Sequence, residues 1–240
     1  FDDREDTEIK HDHVAFRTFN HPKVNMHKIA QWFQQFGYKK MKDYDFEKKR
    51  LDAIHLENDN LKWPKVFISE LRLQDFSDFL QETINNWLKQ VPDNVADDVS
   101  FLWASNPWVK PSYDTYMKLR EESEYAAWMY VYGFRINHFA IFINHLHVYN
   151  DIRSVNAMIK DNGYTMNQSG GEIKGSRDML LEQSSIMAEK VDVEFQEGTH
   201  RIPSCYYEFT QRYPNPEGKL YQGFYSASAD KIFESTHFYK

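Results

Sequence analysis

Two short stretches of the chain gather apolar residues behind a polar residue and a histidine. Asp12-His-Val-Ala-Phe-Arg-Thr-Phe19 and Asn137-His-Phe-Ala-Ile-Phe-Ile-Asn144 have the length and the content of aromatic and β-branched residues expected of strands. After each, the apolar residues switch to helical spacing: Ile29, Trp32, Phe33 and Phe36 within 26–36, and Ile152, Val155 and Ile159 within 152–161. Both predicted helices run into Gly-Tyr, at Gly37 and Gly163, where glycine tolerates the positive φ of a helix end. The intervals agree: His13 to Gly37 is 24 residues and His138 to Gly163 is 25. Further strands then lead, in each half, to a terminal apolar strand with a glutamate, Val66-Phe-Ile-Ser-Glu-Leu71 and Cys205-Tyr-Tyr-Glu-Phe209. From His to Glu is 57 residues in the first half and 70 in the second. The turn-rich Ser169-Gly-Gly-Glu-Ile-Lys-Gly175 is the predicted place of the extra length.

A repeat of this kind predicts an α+β fold in which two βαβββ modules form one β-rich domain. The modules are expected over 1–72 and 134–213, with a helical insertion over 73–133 between them. A C-terminal segment, 214–240, is expected to pack on the same domain. In the insertion, Phe76, Phe79, Leu80, Ile84, Trp87 and Leu88 mark one amphipathic helix. A second helix is predicted from Glu121 to Tyr132. Asn106-Pro-Trp-Val-Lys-Pro-Ser112 separates the two.

Composition narrows the function classes. With 240 residues, 41% hydrophobic and 16% aromatic, the chain can bury a sizeable core without staples. The single cysteine, Cys205, excludes an internal disulfide and fits a reducing compartment, so a cytoplasmic location is expected. No apolar run approaches the roughly 20 residues that span a bilayer, and no membrane association is expected. The polar start, Phe1-Asp-Asp-Arg-Glu-Asp, lacks an initiator Met and reads as the trimmed beginning of a longer chain. A net charge of −7 with pI about 5.8 opposes nucleic-acid binding, which relies on basic surface to neutralise phosphates. The many rings are therefore read as core and pocket filler. A P-loop, a Gly-x-Gly-x-x-Gly turn and a Gly-x-Ser-x-Gly elbow are all missing, and one cysteine cannot build a thiolate zinc cluster.

A lone histidine on an apolar strand is more often structural than a ligand. Two at equivalent places in a repeat are different, because modules packed about a pseudo-twofold bring equivalent positions to one axis. His13 and His138 would face each other there, with Glu208 or Glu70 alongside. Two His and one carboxylate is the set that holds non-haem Fe(II) with open positions for other ligands. A carboxylate on a buried strand is costly unless paired or metal-bound. Arg17 falls on the same strand face as His13, roughly 13 Å along it, where its fork could take the far carboxylate of a metal-bound acid. An ion pair with a neighbouring acid explains that arginine equally well. His55, on a short apolar run, is placed beside the pocket. His145 and His147 have a spacing that could hold a metal, and His11, His21, His27, His200 and His237 are read as solvated.

These residues carry a resemblance. His13-Val-Ala-Phe-Arg-Thr18, Ser123-Glu-Tyr-Ala-Ala-Trp128, Asn137-His-Phe139, Glu182-Gln-Ser-Ser185 and Ile202-Pro-Ser-Cys-Tyr-Tyr-Glu-Phe209 are similar to the signature blocks of the 2-oxoadipate dioxygenase/decarboxylase family. That family lies within the glyoxalase-like, or vicinal oxygen chelate, superfamily. The blocks extend to Asp230-Lys-Ile-Phe-Glu-Ser-Thr236, so the resemblance covers nearly the whole chain, which looks like a short member. It implies an Fe(II) site on His13, His138 and Glu208, with other divalent metals (Zn, Ni, Mn) as alternatives, and Arg17 as the arginine for the substrate carboxylate. The implied partners are a 2-oxo dicarboxylic acid and O2, and the implied products are 2-hydroxyglutarate and CO2. Gln183 and Ser185 are expected to line the pocket, and Glu70 stands as the symmetry mate of a ligand. A glyoxalase-like lyase or hydrolase on the same scaffold is the alternative. A monomer or a homodimer fits either reading.

Overall fold

The structure, a computed structural model, describes residues 9–60 and 62–237; the polar start lies outside them. The first module runs β1 (His11–Phe19), α1 (Met26–Gln35), β2 (Tyr38–Phe46), β3 (Leu51–Asn58) and β4 (Lys65–Leu71). The connecting region carries α2 (Asp78–Gln90), α3 (Tyr113–Glu122) and α4 (Glu124–Tyr132). The second module runs β5 (His138–Phe142), α5 (Ile152–Asp161), β6 (Lys174–Ser176), β7 (Leu181–Ser185), β8 (Lys190–Phe195), β9 (Gly198–Pro203) and β10 (Tyr206–Arg212). A final helix, α6 (Ser226–Ile232), follows.

Local chemistry sets these boundaries. Asn25 accepts hydrogen bonds from the backbone N–H groups of His27 and Lys28 and so starts α1, and Asp151 does the same for Arg153 and Ser154 at α5. Gly37 and Gly163 both adopt φ 85° just past these helices, a region that disfavours residues with a Cβ. The helix predicted over 121–132 starts at Glu124 as α4, and a further helix, α3, precedes it. Ser123 is extended at φ −148° and ψ 105°, ends α3, and accepts from the Ala126 N–H to start α4. The polar run Arg120-Glu-Glu-Ser-Glu124 interrupts the apolar residues at this break, and serine is a helix-capping residue type.

Eight strands make one mixed sheet in the order β2-β3-β4-β1-β5-β10-β7-β6. At its centre β1 and β5 are antiparallel, while β4 and β10 flank them in parallel. This is the pseudo-twofold arrangement that the repeat predicts. Helix α1 packs on β2, β3 and β4, and α5 on β7 and β10. Helix α6 touches β2 at one end of the sheet and β6 and β7 at the other, so the sheet curls until its two edges approach the same helix. Two βαβββ modules joined in this way are the arrangement that the glyoxalase-like resemblance implies.

The extra length of the second half is the β8–β9 hairpin, a separate two-stranded sheet, and not the 169–175 stretch. That stretch is a turn leading into β6. The hairpin survives outside the main sheet because it buries Phe195 against Tyr113 and Tyr116 of α3, at ring-centroid distances of 5.2 and 5.7 Å.

Candidate metal centre

Strand register brings the chemistry together. His13 of β1, Ala140 of β5 and Glu208 of β10 are successive cross-strand neighbours, and Ala15, His138 and Tyr206 form the next row. Residues in such rows share a face, and residues two apart on one strand share it as well. The concave face therefore carries His13, His138 and Glu208 side by side, with alanines between them leaving room. The ligand atoms of the three lie within 4.8 Å of one another. Glu208 Oε2 is 3.6 Å from His13 Nε2 and 3.4 Å from His138 Nε2. Ligands about 2.1 Å from one ion and near a right angle apart would be separated by roughly 3 Å, so a modest inward movement satisfies a divalent cation. All three come from one chain, and all three are buried.

Each of the three candidate ligands is oriented by a neighbour. The imidazole Nδ1 of each histidine is paired with the residue before it, His13 with Asp12 Oδ1 at 2.8 Å and His138 with Asn137 Oδ1 at 2.9 Å. Nε2 is thereby left for the centre, which is the usual support for a metal-binding histidine. Glu208 Oε1 accepts from Gln183 Nε2 and from the Thr210 hydroxyl, at 2.5 and 3.0 Å; Oε2 is left facing the histidines. Asp12 is itself held by the buried guanidinium of Arg212, at 2.5 and 2.8 Å.

The two modules give their histidines different electrostatics. Burial disfavours the imidazolium of His13, but the carboxylates of Glu208 and Asp12 outweigh it and raise the group to about 9. Burial likewise acts on His138; its neighbour Asn137 is uncharged, His13 and Arg17 repel a proton there, and it is held down to about 3 despite Glu208. Burial would raise the Glu208 carboxyl, yet His13 and His138 keep it below its ordinary value.

Arg17 lies two residues beyond Ala15 on the same face of β1. Its guanidinium is buried over the rings of Tyr125, Trp128 and Phe233, at 4.8, 5.3 and 5.8 Å. Its Nη2 donates to Thr236 Oγ1 at 3.3 Å. Nε and Nη1 have no hydrogen-bond partner among the described residues, and the carboxylate of Glu124 stands off at 3.8 Å. A cavity of about 290 Å³ opens here, lined by Arg17, Lys48, Lys49, Glu124, Tyr125 and Phe233 among others. Two larger hollows, of about 490 and 660 Å³, adjoin Tyr164 and Tyr207, the second also touching Tyr206; none of His13, His138 and Glu208 lines either.

The other expected residues divide. Gln183 reaches Glu208, as above. Ser185 lies on the same face but bonds the Ser235 hydroxyl at 2.8 Å, tethering the C-terminal segment. Both ring nitrogens of His55 are engaged, by Tyr44 at 2.8 Å and Glu57 at 3.0 Å, so it borders the site through Phe224 without offering a ligand atom. Glu70 is placed elsewhere. It pairs with Thr18 in the β1–β4 register, whereas Phe67 pairs with Ala15. Since Glu208 pairs with Ala140, the counterpart of Glu208 is Phe67, and that of Glu70 is Gln211. Glu70 and Gln211 play the same part in their modules. Glu70 accepts from the Met26 N–H at 2.8 Å and Gln211 from the Ile152 N–H at 3.0 Å, each at the start of a module's helix. Three residues separate Glu208 from Gln211, and an odd offset reverses the face.

Pattern reading passed over Asp12, Asn137, Arg212, Tyr206 and Glu124. For the first two a signal was present, since a polar residue precedes the histidine in both repeats.

Known proteins agree with this architecture. The sequence model of the 2-oxoadipate dioxygenase/decarboxylase family matches residues 2–219. A relative in Arabidopsis thaliana, named 2-oxoadipate dioxygenase/decarboxylase, chloroplastic, is 33% identical over 257 residues, spanning 97% of this chain and 69% of its own length. A solved hydroxyglutarate synthase from Oryza sativa, in complex with 2-oxoadipate, superposes with a TM-score of 0.85 at 33% identity, covering 95% of this chain and 81% of that one. A structure from Shewanella frigidimarina described as a hydrolase gives a TM-score of 0.86 at 46% identity, covering 91% and 85%. With the match spanning both modules and the insertion between them, the chain belongs to the 2-oxoadipate dioxygenase/decarboxylase family.

Proposed function

We propose that the protein is an Fe(II)-dependent oxygenase that converts 2-oxoadipate, or a close 2-oxo dicarboxylic acid, with O2 into 2-hydroxyglutarate and CO2. One observation carries the reading: a buried two-His, one-Glu cluster shares its strand face with a buried arginine whose Nε and Nη1 have no hydrogen-bond partner among the described residues. Burying a cation without a full set of acceptors is costly, and a carboxylate ligand would repay it with a bidentate pair. Iron held by His13, His138 and Glu208 would supply open coordination positions at which the 2-oxo acid and O2 meet. Asp12 and Asn137 fix the tautomers of the two histidines. Gln183 and Thr210 hold one oxygen of Glu208 so that the other points inward. Arg17 orients the acid by its far end, and the enclosing rings of Tyr125, Trp128 and Phe233 exclude water from that contact. The cationic side chains of Lys48 and Lys49 at the cavity would draw an anionic substrate inward. The single cysteine supports a reducing compartment such as the cytoplasm for this activity.

The test is to load metal-free protein with Fe(II) without air, add 2-oxoadipate, and follow O2 with an electrode. Stoichiometric O2 loss with 2-hydroxyglutarate formed is the expected result, abolished by His138→Ala and weakened at least tenfold by Arg17→Ala. Bound metal with no O2 consumption across a panel of 2-oxo acids would defeat the proposal and point to lyase or hydrolase chemistry at a Lewis-acid metal.

A further inference from the structure

Tyr206 shares its cross-strand row with His138 of the cluster and with Ala15, which lies between His13 and Arg17 on β1. It is the β10 neighbour of His138, and its ring lies nearly flat on that imidazole, with centroids 4.6 Å apart and planes at 23°. A phenol reaches further from its strand than an imidazole, so the hydroxyl extends past the histidine towards the interior. The residue across β5 in this row is Ala15, whose methyl leaves the space open. Two residues on from Ala15 stands Arg17.

The hydroxyl of Tyr206 is buried and has no hydrogen-bond partner among the described residues. A buried donor left without a partner is ordinarily destabilising, and this one is not isolated. Arg17 Nε, Arg17 Nη1, Gln183 Oε1 and Glu124 Oε1 are buried and unbonded as well. These residues adjoin the cluster and its arginine: Gln183 touches Glu208, and Glu124 faces Arg17. A phenol hydroxyl can donate a hydrogen bond, and the Arg17 guanidinium stands in the neighbouring row with Nε and Nη1 unbonded as well. A donor and a cation so placed suit an anionic acceptor.

We propose that the Tyr206 hydroxyl and the free N–H groups of Arg17 together receive the far carboxylate of the substrate, so that Tyr206 selects dicarboxylic over monocarboxylic 2-oxo acids. This rests on the function proposed above and names the group that sets its substrate class. An acid chelated beside His13 and reaching for Arg17 crosses the row of Ala15 and Tyr206. The hydroxyl contributes nothing to an acid of the same length that ends in a methyl group.

The experiment is calorimetric binding to protein loaded with Zn2+, which does not activate O2, using 2-oxoadipate and 2-oxohexanoate. In Tyr206→Phe the ring and its stacking on His138 persist and only the hydroxyl is lost. Affinity for 2-oxoadipate should fall about tenfold or more, as for a hydrogen bond to a charged group, while affinity for 2-oxohexanoate stays within about twofold and the thermal midpoint is unchanged. Equal losses for both acids would place the hydroxyl at the metal end and overturn the proposal, as would no loss for either. A wild-type protein that binds metal but neither acid overturns the functional reading itself. A wild type that prefers 2-oxoadipate, beside an indistinguishable Tyr206→Phe, overturns only the role of Tyr206.

Discussion

Asp12 connects the stability of the fold to the tuning of the site. It accepts two hydrogen bonds from Arg212 and one contact from His13. Burial alone would raise its carboxyl, but the guanidinium beside it holds it far below the usual carboxylate range. A group depressed in this way contributes stability that is present above its unfolded value of about 3.9 and lost as the pH falls below it. Asp12→Asn would reproduce at His13 the amide contact that Asn137 already gives His138, while leaving Arg212 buried without its counter-charge. Such a break costs about 3–5 kcal/mol, and the altered support of His13 should weaken metal binding about 10- to 100-fold. Denaturant unfolding at pH 7 and metal titration check the two effects. The stability gap between wild type and variant should narrow as the pH is taken below about 4.

At the scale of elements, the glutamate that ends each module had two candidate positions in the sequence, and the strand register separates them. Glu70 and Gln211 are helix-start acceptors, related by the pseudo-twofold, and neither faces the cluster. Glu70→Ala should therefore lower stability by about 1 kcal/mol, the usual value of a helix N-terminal acceptor, with the metal affinity unchanged. Glu208→Ala should do the reverse, abolishing metal binding. Chemical denaturation and a metal titration of both variants discriminate the assignments; loss of metal in Glu70→Ala would return that residue to the ligand set. The β8–β9 hairpin is a comparable case. Val191, Val193 and Phe195 alternate along β8, yet only the aromatic surface of α3 determines that the hairpin leaves the main sheet.

Across the whole molecule, the C-terminal segment completes the site. Phe224 packs edge-on against His13 at 4.9 Å. Phe233 covers Arg17 and also rests on Phe46 of β2 at 5.4 Å, and Thr236 accepts the hydrogen bond from Arg17. Ser235 fastens this stretch to β7 through Ser185 and Asn167. The curled sheet thus stays closed around the buried cluster through contacts made by residues distant in sequence. Phe233→Ala should cost about 3 kcal/mol in stability through the cavity it leaves. It should also weaken binding of 2-oxoadipate more than it weakens metal binding, since water would reach Arg17 but not the His-His-Glu cluster. Parallel calorimetry with the acid and with the metal measures that difference.

The repeat, its helices, the two histidines and Arg17 were legible in the sequence because they follow from local periodicity and from like positions recurring in two halves. His13 and Arg17 lie on one strand, so alternation alone places them on one face. The choice of Glu208 over Glu70 rested on family resemblance, because residue spacing does not reveal register and one step along a strand moves a side chain from one face to the other. At Ser123 the polar run Arg120-Glu-Glu-Ser-Glu124 holds a helix-capping residue, a local signal that apolar periodicity by itself does not read. Asp12 with Arg212, and Arg17 with Phe233, Thr236 and Tyr125, meet across separations that no local pattern encodes. Periodicity determines which face of an element is buried; only the closing of the sheet decides which buried polar groups find partners and which, like Nε and Nη1 of Arg17 and the hydroxyl of Tyr206, have none among the described residues.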